Sequence, residues 1–157
     1  MGQEAIIQYV TETFAGVTVV RPSDGPGAGD TFMYYDPQHD LDMTRQFPFA
    51  TIVTKDYAGF DESSNLNRPG VFRLNIGVSR DTFRAVVGYP PEEFSARSGE
   101  CDFAALDRLM PHPAYAAQSY VCVLNPSAET FEAVKPLLAE AYSRDAARHA
   151  NKQARRD

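Results

Sequence analysis

Basic and amide side chains on two strand-like segments are the residues of this sequence best suited to bind a ligand. Residues 71–78 alternate between apolar and polar positions, and Arg73 and Asn75 occupy two of the polar ones. Because residues two apart in a strand share a face, these two side chains project together. Lys55 ends a second strand-like segment, and Arg68 precedes the first. Guanidinium and ammonium groups bind carboxylates and phosphates, so the pattern predicts an anion site on the polar face of a sheet.

The same side chains have a simpler interpretation. In that alternative they pair with neighbouring carboxylates and only make an exposed sheet face soluble. The carboxylates closest in sequence are Asp56, Asp61, Glu62 and Asp81. The sequence leaves both interpretations open.

His112 is the candidate general base of this chain. It lies between Pro111 and Pro113 on a stiff turn, shortly before Tyr115. An imidazole at such a place suits proton transfer or ligand binding near neutral pH, and Tyr115 is close enough to join the same site. The alternative is a turn histidine whose ring bonds a backbone carbonyl and closes the last strand against the sheet.

Two further clusters lack the context that their chemistry requires. The glycine-rich residues 25–31 precede a strand-like segment and have Asp30 where a P-loop has its lysine, so they predict a hairpin loop. A second, oxygen-rich cluster has Leu41 and Phe47 where an EF-hand has glycine and glutamate, which predicts a solvated loop. Its members are Asp36, His39, Asp40 and Asp42. We therefore predict neither a metal site nor a bound cofactor.

The candidate residues must be positioned by the strands around them. Alternation and β-branched residues predict five strands. They cover residues 17–21, 31–36, 49–55, 71–78 and 120–124. The first four follow one another without intervening helices, which favours an antiparallel sheet with helices on one face. We therefore predict a single compact α+β domain.

Helix signals lie at both ends of the chain and between the last two strands. Helical spacing of apolar residues predicts an N-terminal helix, and Ser79 is an N-cap for a short helix after the fourth strand. Asp102 predicts a second short helix over residues 103–110 in the same way. Asn125, followed by proline, marks the start of a long C-terminal helix, which Pro136 should kink or restart.

Length and composition describe one domain without a membrane segment. The chain has 157 residues, of which 43% are hydrophobic and 23% charged, as in average globular proteins. No apolar run approaches the roughly 20 residues of a bilayer crossing, and no signal peptide pattern opens the chain, so we expect a cytoplasmic protein. Residues 1–143 form the predicted domain, and residues 144–157 form a basic tail that we expect to fray.

Charge argues against a nucleic-acid partner. The net charge is −6, but residues 144–157 hold five Lys/Arg and two Asp, which leaves ten Lys/Arg against nineteen Asp/Glu in residues 1–143. A body of net charge −9 repels phosphate backbones, so only a salt-dependent contact through the tail would hold DNA. Lys55, Arg68 and Arg73 are local positive points on this body, which favours a small, confined anion.

Six segments of the chain carry a family resemblance. They are residues 29–37, 47–57, 67–78, 106–113, 121–126 and 137–142. Together they resemble a bacterial family that is described as a domain of unknown function, family 6194, and this resemblance implies no activity. The order of elements is also similar to the end of the MmcQ/YjbR-like proteins. That similarity implies a CyaY-like fold and a DNA-binding surface of the kind suggested for those proteins.

Three functions follow from these residues. The first is a non-enzymatic binding module for a small anionic ligand or a protein partner, as a monomer or homodimer. It would use the sheet face around Arg73, Asn75 and Lys55 together with the His112 turn. The second is an enzyme with His112 as general acid or base, and the third is weak DNA binding through the tail.

Overall fold

The computed structural model describes residues 1–156, which contain four α-helices and one six-stranded sheet. The helices are α1 (Gln3–Thr13), α2 (Arg80–Val87), α3 (Phe94–Arg97) and α4 (Ala128–Arg156). The strands are β1 (Val17–Val20), β2 (Thr31–Tyr35), β3 (Ala50–Val53), β4 (Arg73–Gly77), β5 (Met110–Pro111) and β6 (Tyr120–Leu124). They are hydrogen-bonded in the order β1-β2-β3-β4-β6-β5, and every neighbouring pair is antiparallel. The predicted single α+β domain with an antiparallel sheet is confirmed.

The main hydrophobic core lies between the sheet and helices α1, α2 and α4. On β4 the alternating residues Leu74 and Ile76 are fully buried on this side, as their spacing predicts. Val10 of α1 and Leu138 of α4 are buried in the same cluster. Each such side chain contributes about 1.5–3 kcal/mol when it is removed from water, so this face holds the sheet and the terminal helices together.

The opposite face of the sheet is covered as well, which corrects the alternative in which an exposed sheet face only made the protein soluble. A second, smaller cluster of buried apolar side chains lies there: Val53, Leu66, Met110, Cys122 and Leu124. Leu66 belongs to the long connection between β3 and β4 and is only 1% exposed. Because this connection packs over the sheet, the polar residues of β4 are buried beneath it and do not face solvent.

Residues 103–110 do not form the predicted helix. Asp102 accepts a hydrogen bond from the backbone N–H of Ala104, which closes a local turn, and no helix follows it. Asp107 has φ 58°, a left-handed conformation that interrupts a helix, and its N–H donates to the carbonyl of Leu124. These contacts place Met110 in the short edge strand β5, which pairs with β6.

Helices α2 and α4 each begin with a serine cap, but only the cap of α2 is the predicted one. Ser79 caps α2 as predicted, since its hydroxyl accepts the N–H of Thr82. At α4 the cap is Ser127, whose hydroxyl accepts the N–H of Thr130 at 3.1 Å. Asn125 is therefore not the predicted N-cap, because its side-chain oxygen accepts the N–H of Phe72 at 2.9 Å and fastens β4 to the end of β6.

Helix α4 continues through Pro136 to Arg156 without the predicted restart. Residues 144–156, the described part of the predicted tail, are its last turns. Gln153 in these turns donates to the side chain of Gln38 at 3.1 Å. Fraying of this end in solution stays a prediction, which backbone hydrogen exchange tests. In residues 1–156, no helix combines the length and the apolar character that a membrane crossing needs.

Candidate functional site

Arg73 lies at the centre of a buried polar network between the sheet and the β3–β4 connection. Its side chain is fully buried and forms a two-pronged pair with Asp61, with Nη1–Oδ1 and Nη2–Oδ2 distances of 3.0 and 2.5 Å. Nε donates to Asn75 Oδ1 at 2.7 Å, and Nη1 also donates to Ser64 Oγ at 2.9 Å. The fifth N–H of the guanidinium faces His112 Nε2 at 3.1 Å. Arg73 thus has no donor left for a ligand.

Of the four carboxylates that the simpler sequence interpretation named, Asp61 is the one that pairs with Arg73. That interpretation placed it on an exposed sheet, whereas Asp61 is only 7% exposed. A buried pair gains little net stability over an apolar pair, but loss of one partner leaves a buried charge uncompensated. The network therefore fixes the β3–β4 connection on the sheet.

His112 is a buried member of the same network, with a ring that is 1% exposed. Nδ1 accepts the backbone N–H groups of Ala114 and Tyr115, both at 3.0 Å. Burial first, and then the charge of Arg73, lower its pKa from 6.5 to about 3, against an opposing effect of Asp61. The ring is therefore neutral near pH 7, and neither nitrogen is open to an outside molecule.

This geometry corrects the turn-histidine interpretation in one respect. The ring was expected to bond a backbone carbonyl, but it accepts two backbone N–H groups at Nδ1. A neutral imidazole has a single acceptor nitrogen, and Nδ1 fills that role for the two amides. A second proton, placed on Nδ1, would face these two N–H donors and would have no acceptor.

The other predicted site residues do not join Arg73 in a common pocket. Lys55 pairs with buried Asp30 at 3.3 Å, at the mouth of the β1–β2 hairpin. Arg68 donates to the backbone carbonyls of Ser64, Asn65 and Ala104, so it organises the β3–β4 connection. Tyr115 is 41% exposed and packs against both His112 and exposed Phe60. Arg73, Asn75, His112 and Tyr115 are brought together, but as a covered structural network. As an anion site these six residues stay a prediction.

The glycine-rich loop and the acidic cluster have structural roles. Residues 25–31 close the β1–β2 hairpin, as predicted. Asp36 is buried and accepts hydrogen bonds from the Thr18 hydroxyl and the Asp40 N–H, which organises the loop behind β2. Within residues 1–156, no three His, Cys, Asp or Glu side chains are grouped so that they could hold a metal ion.

A cleft that the sequence did not predict lies between the β2–β3 connection and the last turns of α4. Its volume is about 260 Å³. Aromatic contacts hold α4 in place here, since the ring of Tyr142 stacks on Phe14 at 4.8 Å and the ring of His149 meets Tyr35 at 5.4 Å. The residues that line the cleft are Asp40, Asp42, Arg45, Gln46, Phe47, Asp145, Arg148, His149, Lys152, Gln153 and Arg156. We call this space the α4 cleft.

The α4 cleft is lined by four Lys/Arg and three Asp side chains, in a protein of net charge −6. Arg148 pairs with Asp145 at 2.5 Å, and Arg45 is 3.6 Å from Asp42. Two further cationic side chains line the cleft. Lys152 and Arg156 have no carboxylate within 4.0 Å among the residues that the structure describes.

Asp145 is the unusual acidic group of the α4 cleft. It is only 9% exposed, and its Oδ1 accepts from Arg148, but its buried Oδ2 has no hydrogen-bond partner. Burial raises its pKa, although Arg148, Arg144 and Lys152 act in the other direction. Asp145 also lines a smaller cavity of about 70 Å³, which shares Phe47 and Arg148 with the α4 cleft.

The signal that would have revealed the α4 cleft is the spacing of polar residues. Tyr142, Asp145, His149 and Gln153 recur at intervals of three or four, as one helix face requires. A search for apolar periodicity passes over this face because Asp145, His149 and Gln153 are polar.

The fold and the cleft define a class of protein: a small antiparallel α+β domain with a charged cleft beside its C-terminal helix. The chain belongs to DUF6194, a family of unknown function, whose model matches residues 1–154. The predicted membership of this family is confirmed. No curated protein and no solved structure gives a significant match. The likeness to the MmcQ/YjbR-like proteins therefore stays a prediction.

Proposed function

We propose that this protein is a non-enzymatic binding module for a small anionic ligand, and that the ligand lies in the α4 cleft. The observation that carries the proposal is that Lys152 and Arg156, which have no carboxylate within 4.0 Å among residues 1–156, line a cavity of about 260 Å³. Such a volume is near the lower end for small-molecule pockets, which suits a compact ligand. Lys and Arg at helix spacing i, i+4 point to one side, so both can reach one anion.

The anion-binding function was first predicted for the sheet face, and the α4 cleft supports it better. The donors of Arg73 are engaged with Asp61, Asn75 and Ser64, so an anion there would have to displace a buried carboxylate. In the α4 cleft an anion adds contacts without removing one. The function class is therefore retained, and its site moves from β4 to the end of α4.

The two alternative functions have weaker support. An enzyme that uses His112 as general base needs an accessible ring nitrogen, and this ring is buried and bonded to the backbone. Duplex DNA would approach the cations of α4 across Asp40 and Asp42 on the other wall of the cleft. Those carboxylates repel a phosphate backbone but leave room for a small anion beside the helix.

Calorimetric titration with inorganic phosphate and with succinate, at low ionic strength, tests the proposal. The double variant K152Q/R156Q should weaken binding about tenfold or more, since each charge-assisted hydrogen bond contributes roughly 1.5–3 kcal/mol. R155Q is the matched control because Arg155 is an exposed neighbour that does not line the cleft. It should change binding less than twofold. Failure of wild-type protein to bind either anion, or an equal loss in R155Q, would overturn the proposal.

A further inference from the structure

We infer that the ligand of the α4 cleft is a zwitterion, with an ammonium or N–H donor placed beside its anionic group, as in an amino acid. This inference rests on the proposed anion site and specifies the chemical class that the site accepts. Its basis is Asp145 Oδ2, which has no hydrogen-bond partner among the residues that the structure describes, in the same cleft as Lys152.

The carboxylate of Asp145 is only half satisfied by the protein. Arg148 donates to Oδ1 at 2.5 Å, whereas the buried Oδ2 receives no hydrogen bond from any residue that the structure describes. An ionised carboxylate accepts several hydrogen bonds, and a buried acceptor without a partner destabilises the fold. A ligand N–H group that donates to Oδ2 would remove that penalty, so a ligand with such a group should bind more tightly than one without it.

Helix geometry sets the distance between the two ends of the ligand. Lys152 follows Asp145 by seven residues, about 10 Å along the helix at about 1.5 Å per residue, and helical side chains lean back toward the N-terminus, which brings its ammonium group closer to Asp145. The charge of Lys152 acts on Asp145, where it opposes the effect of burial on the pKa. A short amino dicarboxylate can therefore place its distal carboxyl group on Lys152 and its amino group on Asp145. An anion without an amino group would fill only the basic end of the cleft.

Phe47 supplies the apolar part of this site. Its side chain is 82% exposed, although it is a large apolar group, and it lines both the α4 cleft and the smaller cavity. The same two cavities share Asp145. A methylene chain between the charged ends of a ligand would cover part of this ring, so binding would lower the exposed fraction of Phe47.

Matched ligand pairs test the inference in calorimetric titrations of the whole protein. Aspartate is succinate with one added amino group, and glutamate is glutarate with the same addition. Wild-type protein should bind the amino member of a pair about tenfold more tightly, as expected for one hydrogen bond to a charged group. If succinate and glutarate bind but their amino partners bind no better, the zwitterion inference is wrong and the anion site stands. If none of the four binds, the proposed function itself is wrong.

The variant D145N gives a second, opposite-signed measurement. It preserves the size of the side chain and removes its charge, so aspartate should bind about tenfold more weakly while succinate binds as well as before or better. E129Q, a charge-matched change near the start of α4 and away from the cleft, should leave both affinities unchanged. A parallel loss for aspartate and succinate in D145N would overturn the inference. The ligand-pair comparison in wild-type protein does not depend on how well the variant folds.

Discussion

Acid should destabilise this protein through His112, independently of any ligand. In the unfolded chain the imidazole takes up a proton below its ordinary pKa of 6.5, whereas in the fold its pKa is lowered to about 3. Between these two values the unfolded chain binds one more proton than the folded chain. The free energy of unfolding therefore falls as the pH falls through this window, and above pH 6.5 the neutral ring costs nothing.

The size of the effect follows from the two pKa values of His112. Each pH unit between 6.5 and about 3 removes about 1.4 kcal/mol of stability. From pH 7 to pH 4.5 the loss due to this residue is about 2.5 kcal/mol. That loss is a substantial part of the 5–15 kcal/mol or so by which domains of this kind are stable. Carboxylates also titrate in this range, so the effect must be isolated by a variant.

The variant H112N isolates the histidine effect because the asparagine oxygen can accept the N–H groups of Ala114 and Tyr115 without titrating. Urea unfolding at pH 7 and at pH 4.5 gives the loss of stability for each protein. Wild-type protein should lose about 2.5 kcal/mol more than H112N. H39N removes an exposed histidine and should lose as much as wild-type protein. Equal losses in wild-type protein and H112N would refute the burial of a neutral ring beside Arg73.

Three shorter predictions concern the covered side of the sheet and the start of α4. D61N should lower the free energy of unfolding in urea by about 3–5 kcal/mol, because Arg73 would keep a buried, uncompensated charge; a loss below 1 kcal/mol or so would mean that water reaches the pair. Cys122 is fully buried and its pKa is raised to about 12, so iodoacetamide at pH 8 should leave it unmodified until urea unfolds the protein. S127A should lower the stability by about 1 kcal/mol through loss of the Thr130 cap, and an unchanged midpoint would place the start of α4 elsewhere.

Five of the six strands were predictable from the sequence because their signal is local, whereas β5 begins at Met110, inside a segment that was predicted as a helix. On β4 the alternation of Leu74 and Ile76 with Arg73 and Asn75 is visible in five residues, and the structure confirms which face each pair occupies. The burial of Arg73 was not predictable in the same way. It depends on the β3–β4 connection, which has no periodicity and is held over the sheet by long-range contacts such as that of Asp61. Alternation assigns a residue to a face but does not say what covers that face.

The α4 cleft could not be predicted from the sequence, for a related reason. Residues 144–157 lack apolar bulk, and apolar periodicity is the usual sign that a helix packs against a domain. Here the end of α4 is held by polar and aromatic contacts, such as those of Gln153 with Gln38 and of His149 with Tyr35. Both partners lie more than a hundred residues earlier in the chain. No local pattern contains that information.

Net charge is a poor guide to whether this protein can bind the proposed anion. A chain of net charge −6 would be expected to repel anions, and at long range it does. At physiological ionic strength, however, charges beyond about 8 Å are largely screened. An anion in the α4 cleft would therefore respond to Lys152 and Arg156 at contact distance more than to the distant acidic body. For the same reason its affinity should depend on salt less steeply than a DNA contact, which sums over many phosphates.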